Sequence, residues 1–377
     1  MNLSAFEREK LIEIEDFAVN RVRRRAEDID ESSTFPADLI REMSKIGVFS
    51  IYIPREYGGL GLSLRALMES IRIISRECAS TSLIPDVTVS LFGEPILKYG
   101  TELQKRKYLS RIAKGTIGAL AITEPGAGSD AAAIKTTAVK RGGEFVINGG
   151  KTFITNGAEA EFFLTSAVTS PEKRHHGITL FALEKGMEGL SVGKEFRKMG
   201  IRGTSTTEVL LEDVRVGEEQ VVGELNGGFR IEMDTLNVGR IGIASQAIGI
   251  AEGAMGDVIR FYEGHKGSLR EDASFKIADM ANLLHSSVRK YEESIETVEN
   301  GKDTTLLSSL SKLQAGDAAV RISEVALELL GYMGMTSEYP LERRFREAKI
   351  TQIYEGTNEI QRVIIAREIM RMGSPRF

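Results

Sequence analysis

At 377 residues, with 42% hydrophobic and 27% charged side chains, the chain is long enough for two or three domains around a large buried core, and its composition is that of a soluble globular protein. A net charge of -5 argues against a nucleic-acid binder, which carries a basic excess. The single cysteine, Cys78, excludes an internal disulfide, and four scattered histidines give no zinc spacing, so no metal is expected and His175-His176 reads as a solvated loop pair.

The opening residues, MNLSAFEREKLIEIEDF, set charges among apolar residues at helical spacing and contain no uninterrupted apolar run. They read as neither signal peptide nor membrane span, so a chain starting at or near Met1 and a cytoplasmic location are the default expectations. Residues 1–115 read as helical, with Leu39, Ile40, Met43, Ile46 and Val48 on one apolar stripe, Leu64 to Ile74 on another, and turns at Phe35-Pro36, Tyr57-Gly58-Gly59 and Tyr99-Gly100. Over 116–224 the period changes to two, and Phe162 to Val168, Gly177 to Leu183 and Glu208 to Val216 read as half-buried strands. Over 225–377 the helical period returns: Gly239 to Gly256 is rich in glycine and alanine that let helices approach closely, and further helices run Ser274 to Asn300 and Thr304 to about Tyr332. The expected architecture is thus α+β: an N-terminal helical domain, a middle β-domain and a C-terminal helical bundle.

Within the β-block, Gly115 to Thr123 reads as an apolar strand ended by Glu124-Pro125-Gly126. Gly126-Ala127-Gly128-Ser129-Asp130-Ala131 fits the dinucleotide pattern GxGxxA, but that pattern requires a helix and a second parallel strand next. Instead Ile134 to Lys140, Glu144 to Asn148 and Lys151 to Thr155 are short strand-like runs, split by Gly142-Gly143, Gly149-Gly150 and Asn156-Gly157. The expectation is a β-meander with hairpin turns at those dipeptides. The small residues after Pro125 either make a purely structural turn or form a surface on which a bulky ligand lies close to the backbone.

The closing stretch, Ile353-Tyr354-Glu355-Gly356-Thr357-Asn358-Glu359-Ile360-Gln361-Arg362, precedes an amphipathic helix marked by Ile360, Val363, Ile364, Ile369 and Met370, with Thr357 or Asn358 as its cap. Glu355 sits just ahead of that helix. On spacing alone it either complements the helix dipole from outside or is a base whose desolvation raises its pKa toward neutrality.

Six stretches in order, AITEPGAGSD at 121–130, KTFITNG at 151–157, MGIRGTSTTEVLLEDVRV at 199–216, NVGRIGIASQA at 237–247, EYP at 338–340 and IYEGTNEIQR at 353–362, resemble the acyl-CoA dehydrogenase family over nearly the whole chain. The resemblance implies a middle β-barrel, a C-terminal four-helix bundle, FAD as cofactor and an acyl-CoA substrate of short- or medium-chain type. It also implies electron-transfer flavoprotein as electron acceptor, a tetramer, and a place in fatty acid metabolism by β-oxidation. By the same resemblance Glu355 removes the α-proton while the β-hydrogen leaves as hydride to flavin N5, giving trans-2-enoyl-CoA. Ile122, Thr123, Phe153 and Thr155 match flavin-ring contacts, and Ser129 matches a position bonded to cofactor and substrate. Thr357 and Glu359 match positions near the pyrophosphate and ribose, while Asn237, Arg240 and Tyr354 match the substrate side. Some family members carry the base one residue before the arginine of the bundle motif; here that place is Gly239, which leaves Glu355.

Two departures touch the half of the FAD site that a neighbouring subunit contributes in the family. An Arg-x-x-Phe-Gly motif is missing from Tyr262 to Arg270, where Lys266 falls nearest, and Glu328 stands where glutamine is usual. A carboxylate near a pyrophosphate is repulsive unless paired or protonated. Three readings follow: a homotetrameric dehydrogenase, a heteromeric one completed by a paralogous subunit, or a flavin-poor binding or scaffold subunit. An aspartate base, usual for nitroalkane oxidation, and the long C-terminal extension of acyl-CoA oxidases are both missing. The helix near Ser82 to Leu97 is expected to line the acyl pocket with Val87 and Phe92 as an apolar wall, and the lack of arginine between Cys78 and Lys105 weighs against a dicarboxylyl-CoA.

Overall fold

The computed structural model describes residues 3–264 and 269–373. Ser4 opens α1 (Ala5–Phe17) by accepting the Glu7 N–H at 3.2 Å while Glu7 accepts the Ser4 N–H at 2.7 Å, the reciprocal cap that Ser-x-x-Glu permits. A widened turn leads on to α2 (Arg23–Ser32). Helix α3 (Ala37–Lys45) ends before Ile46 and Val48, so the expected stripe is helical only as far as Met43; Gly47, at φ 88, turns the chain away. Then come α4 (Leu64–Ser75), α5 (Ala79–Asp86), a π-helical turn over Val87–Gly93, α6 (Glu94–Tyr99) and the short α7 (Glu102–Gln104) and α8 (Ser110–Ile112).

Every residue from Glu77 to Ile96 is buried. A helix enclosed all round must satisfy its polar side chains internally, and small hydroxyls do so by bonding back: Ser82 Oγ to Ala79 O at 3.0 Å and Thr88 Oγ1 to Ile84 O at 2.8 Å. Phe92 does not face an acyl pocket as expected. It packs in the core against Tyr108 and Phe162, each 5.6 Å away between ring centroids, with Gly118 beneath it.

The strands are β1 (Gly118–Ala121), β2 (Thr137–Arg141), β3 (Glu144–Thr155), β4 (Phe162–Val168), β5 (Ile178–Glu184), β6 (Leu190–Glu195), β7 (Thr206–Val216) and β8 (Val221–Val222). They form one sheet in the order β6-β7-β3-β2-β4-β5-β8, with β1 parallel to β4. The path runs from β6 to β8 and makes the central β-domain that the sequence led one to expect. The meander is corrected. Gly142, at φ 65, does make the β2–β3 hairpin, but β3 runs straight through Gly149-Gly150 and its second partner is β7. Those glycines mark a register shift, and a Cβ on Gly149 would stand 2.3 Å from Thr136 Oγ1. Close approach, rather than reversal, is what they permit.

Helices α9 (Gly228–Gly264), α10 (Glu271–Glu299) and α11 (Thr305–Leu330) form the bundle, closed by α12 (Leu341–Ile350) and α13 (Asn358–Met372). Helix α9 starts at Gly228, close to where the helical period was expected to return, and carries the Gly239–Gly256 segment in its middle. On α13 the expected apolar face is not folded onto the chain's own core, because Val363 and Met370 are exposed. Among the described residues no helix is long and apolar enough to cross a membrane, and no group of histidine, cysteine and acidic side chains could hold a metal ion.

Candidate active site

The stretches around Ile122 and Phe153 are brought together by one buried lysine. Lys151 Nζ donates to Ile122 O at 3.1 Å, Glu124 Oε1 at 2.8 Å and Ser166 Oγ at 3.3 Å, while the Thr152 N–H donates to Thr123 O at 2.9 Å. Glu124 also accepts the N–H groups of Lys135 at 2.6 Å and Thr136 at 3.0 Å, which pins both ends of the small-residue loop between them. Burial is the largest single influence on its carboxyl and raises it, but these contacts together, Lys151 foremost among them, hold it below the usual range. The loop itself is open: a Cβ on Gly126 or Gly128 would meet nothing within 4 Å, and Ser129 is exposed. Beyond it Phe153, at φ 57 and 61% exposed, lies beside Phe196 with ring centroids 4.9 Å apart. An exposed aromatic in a strained backbone, next to a glycine cradle and the half-buried Ile122, Thr123 and Thr155, fits a flat ring system.

The second group surrounds Glu355. This residue takes φ 54 and Gly356 takes φ 87, so the chain makes a left-handed turn that a non-glycine residue enters at a cost of order 1–3 kcal/mol. The turn is clamped from outside: Lys312 Nζ donates to Gly356 O at 2.7 Å and Asn358 Oδ1 at 3.0 Å, and Gln361 Nε2 donates to Gly356 O at 3.0 Å. Thr357, rather than Asn358, caps α13, accepting the Ile360 N–H at 3.2 Å. Glu359 points to solvent.

Glu355 Oε2 is sealed from solvent without a hydrogen-bond partner, and the Glu355 N–H meets no acceptor among the described residues. A Cβ on Gly239 would stand 2.3 Å from Oε2, so the carboxylate fills the space that a side chain at 239 would need. The two base positions known in the resembling family therefore open on one spot. Burial, then the neighbouring Asp86 charge, push the Glu355 carboxyl up to about 8 against the pull of Arg240 and Lys312. The Glu355 carboxylate is turned toward Gly239 on α9.

Arg240 is oriented by Asn237, whose Oδ1 accepts its Nη1 at 2.6 Å, while Asn237 Nδ2 donates to Thr305 Oγ1 at 3.1 Å. Tyr354 donates its hydroxyl to Gln246 Oε1, and Gln246 Nε2 donates to Ala79 O at 2.9 Å. Helix α5 is the link between the two groups, since Asn156 of the KTFITNG stretch donates to Ile84 O at 3.2 Å and Ser80 Oγ accepts the Gly203 N–H at 3.2 Å. Sequence reasoning missed Lys312, Gln361 and Asp86. Only a lysine and an aspartate placed inside otherwise apolar or small-residue helices could have drawn attention to them.

Family models describe the same three parts: the acyl-CoA dehydrogenase N-terminal domain matches residues 7–116, the middle domain 119–214 and the C-terminal domain 226–370. The chain belongs to the acyl-CoA dehydrogenase family. It is 40% identical to an acyl-CoA dehydrogenase of Bacillus subtilis over 363 residues, 95% of this chain and 96% of the relative. It is also 40% identical to a short-chain specific acyl-CoA dehydrogenase of Clostridium acetobutylicum, over 95% and 96% of the two chains. The solved butyryl-CoA dehydrogenase of Megasphaera elsdenii superposes with a TM-score of 0.95 at 35% identity, covering 98% and 100%. As a member of this family the chain is a flavoprotein oxidoreductase with FAD as its cofactor, which sets aside a flavin-poor scaffold.

The neighbour-facing half of the FAD site is only partly in view. Lys266 lies outside the described residues. Glu328 is paired: Lys276 Nζ donates to its Oε2 at 2.9 Å and holds the carboxyl below the usual range, with both side chains exposed. The charge expected to repel a pyrophosphate thus has its own counterion.

Proposed function

We propose that the chain dehydrogenates a saturated acyl-CoA between Cα and Cβ to the trans-2-enoyl-CoA, with Glu355 as the base. The observation that carries this is the sealed, unpartnered Glu355 Oε2 facing a glycine on α9. A carboxyl pushed up to about 8 is a base matched to an acidic C–H near neutral pH. The Glu355 N–H, which meets no acceptor among the described residues, would donate to the thioester oxygen and stabilise the charge that develops as the α-proton leaves. Lys312 and Gln361 hold the strained turn so that the carboxylate does not relax away. Bound FAD supplies the acceptor for the β-hydride.

Ile122, Thr123, Phe153 and Thr155 would hold the ring system, Ser129 would bond cofactor and substrate, and Thr357 and Glu359 would serve the pyrophosphate and ribose side. Tyr354, Arg240 and Asn237 would line the thioester and CoA side. Electrons would pass to electron-transfer flavoprotein, in a cytoplasmic β-oxidation-type pathway. Exposed Val363 and Met370 on α13, with Phe275, Tyr332 and Met335 on the bundle, support assembly as a tetramer, of identical copies or with a paralogue. The test is anaerobic: saturated acyl-CoAs without a tail charge should bleach the flavin of the purified holoenzyme, and glutaryl-CoA should not. Faster bleaching by glutaryl-CoA would sink the substrate assignment.

A further inference from the structure

Asp86 ends α5 at 2% exposure. Its Oδ1 accepts the Ser90 hydroxyl at 2.8 Å; its Oδ2 has no hydrogen-bond partner among the described residues and, unlike Glu355 Oε2, is not sealed from solvent. A Cβ on Gly242 would stand 2.4 Å from Oδ1 and 2.8 Å from Oδ2, so the carboxyl lies flat against α9 where a side chain is missing. Gly239 gives the Glu355 carboxyl the same opening one turn earlier. Residues three apart share a helix face, so the two carboxyls press on one face of α9 at glycines roughly 4.5 Å apart along its axis.

The surroundings of Asp86 are those of neither a structural ion pair nor an apolar wall. Burial pushes its carboxyl up to about 7, only Ser90 pulls it back, and its other charged neighbour is Glu355 itself. A buried carboxyl with an idle acceptor and no cation is costly unless something arrives to use it.

We infer that Asp86 is a specificity residue for the acyl chain, receiving a hydrogen-bond donor, a hydroxyl or an ammonium group, carried a few bonds beyond the α-carbon. This rests on the dehydrogenation proposed above and names its substrate class: an acyl-CoA whose tail is hydroxylated or aminated. Such a donor satisfies Oδ2 on arrival. An unsubstituted tail displaces water from the acceptor and leaves it unpaired, and a carboxylate tail meets like charge with no arginine between Cys78 and Lys105 to offset it.

The experiment uses the FAD holoenzyme of the full chain and of Asp86→Ser, with butyryl-CoA, 4-hydroxybutyryl-CoA and 5-aminovaleryl-CoA as probes. Rates of anaerobic flavin reduction are recorded with the concentration that half-saturates them. In the wild type at least one donor-bearing chain should exceed butyryl-CoA in the ratio of rate to half-saturation by at least about tenfold. In Asp86→Ser that advantage should vanish and butyryl-CoA should improve. Which chain gains more tells hydroxyl from ammonium. Equal use of all three by the wild type, or an advantage that survives in Asp86→Ser, overturns the inference while leaving the dehydrogenase proposal standing. Failure of every acyl-CoA to reduce the flavin of either protein overturns both.

Discussion

Two acids, the buried Glu124 and the part-buried Glu355, lie at opposite ends of the polar spectrum within this molecule. Glu124, between sheet and loop, accepts a lysine and two backbone N–H groups, and nothing about it is left over. Glu355, on the bundle side, has an oxygen sealed from water without any partner and a backbone held in a left-handed turn. The first arrangement is a structural clamp whose charge is already spent on its neighbours; the second keeps its charge available for a proton that the protein does not contain. Glu232 shows that an idle oxygen alone does not make a base. Both of its oxygens lack a partner and burial pushes its carboxyl up to about 7, against the pull of Ser166 and then of the Lys151 charge, yet it sits in an ordinary helix with no glycine opposite it among the described residues. What sets Glu355 apart is an idle oxygen set against Gly239 and carried on a left-handed turn.

The sharpest way to break the contrast is Glu355→Gln, which preserves shape and removes the proton acceptor. Flavin reduction by acyl-CoA should fall by roughly 10²–10⁴-fold, with FAD and acyl-CoA binding nearly intact. Near wild-type turnover would remove Glu355 from the mechanism. The opposite pattern is expected for Lys151→Met: a loss of roughly 3–5 kcal/mol in denaturant unfolding, because Glu124 stays buried without its cation. If that variant unfolds at the wild-type midpoint, the clamp is ornamental.

A third measurement probes Glu355 by pH. The carboxyl must be deprotonated to act, so the ratio kcat/KM should rise with pH and level off above about 8, losing close to tenfold per pH unit below it. A profile already flat from pH 6 would mean that the free enzyme holds Glu355 ionised far below that value. The smallest effect concerns the half-site away from both acids. Because Glu328 is exposed and already paired with Lys276, Glu328→Gln should tighten FAD by no more than about fivefold in equilibrium dialysis. A larger change would show that the carboxylate faces the cofactor in the assembled protein.

Much of this was legible in the chain itself, and the failures have physical causes. Strand β4 was legible in its span, though expected as half-buried and found buried on both faces from Phe162 to Ala167, and the cap at Thr357 was one of two named. Gly149-Gly150 misled because a double glycine serves a close approach to Thr136 as well as it serves a turn, and local sequence does not say which neighbour is near. Phe92 misled for the same reason: an aromatic on a helix that is buried on all sides has no face that marks a pocket. Glu355 stood out as a residue, but its two meanings separated only once Gly239, Lys312 and Gln361, distant in the chain, were seen around it. Asp86 was passed over because its neighbours in sequence are apolar, whereas its neighbours in space are acids.

The enclosed rod from Glu77 to Ile96 also acts as a clock. Its amides meet no solvent at any point along twenty consecutive residues, and its two flanks are tied to the sheet through Asn156 and to the bundle through Gln246. Fraying cannot expose them, so their hydrogens should exchange with deuterium only when the whole molecule opens. Their exchange therefore counts global openings, and each ligand that binds only the closed protein slows the count in proportion to its occupancy. A segment with no contact to solvent becomes the place where binding anywhere else in the chain is most cleanly read.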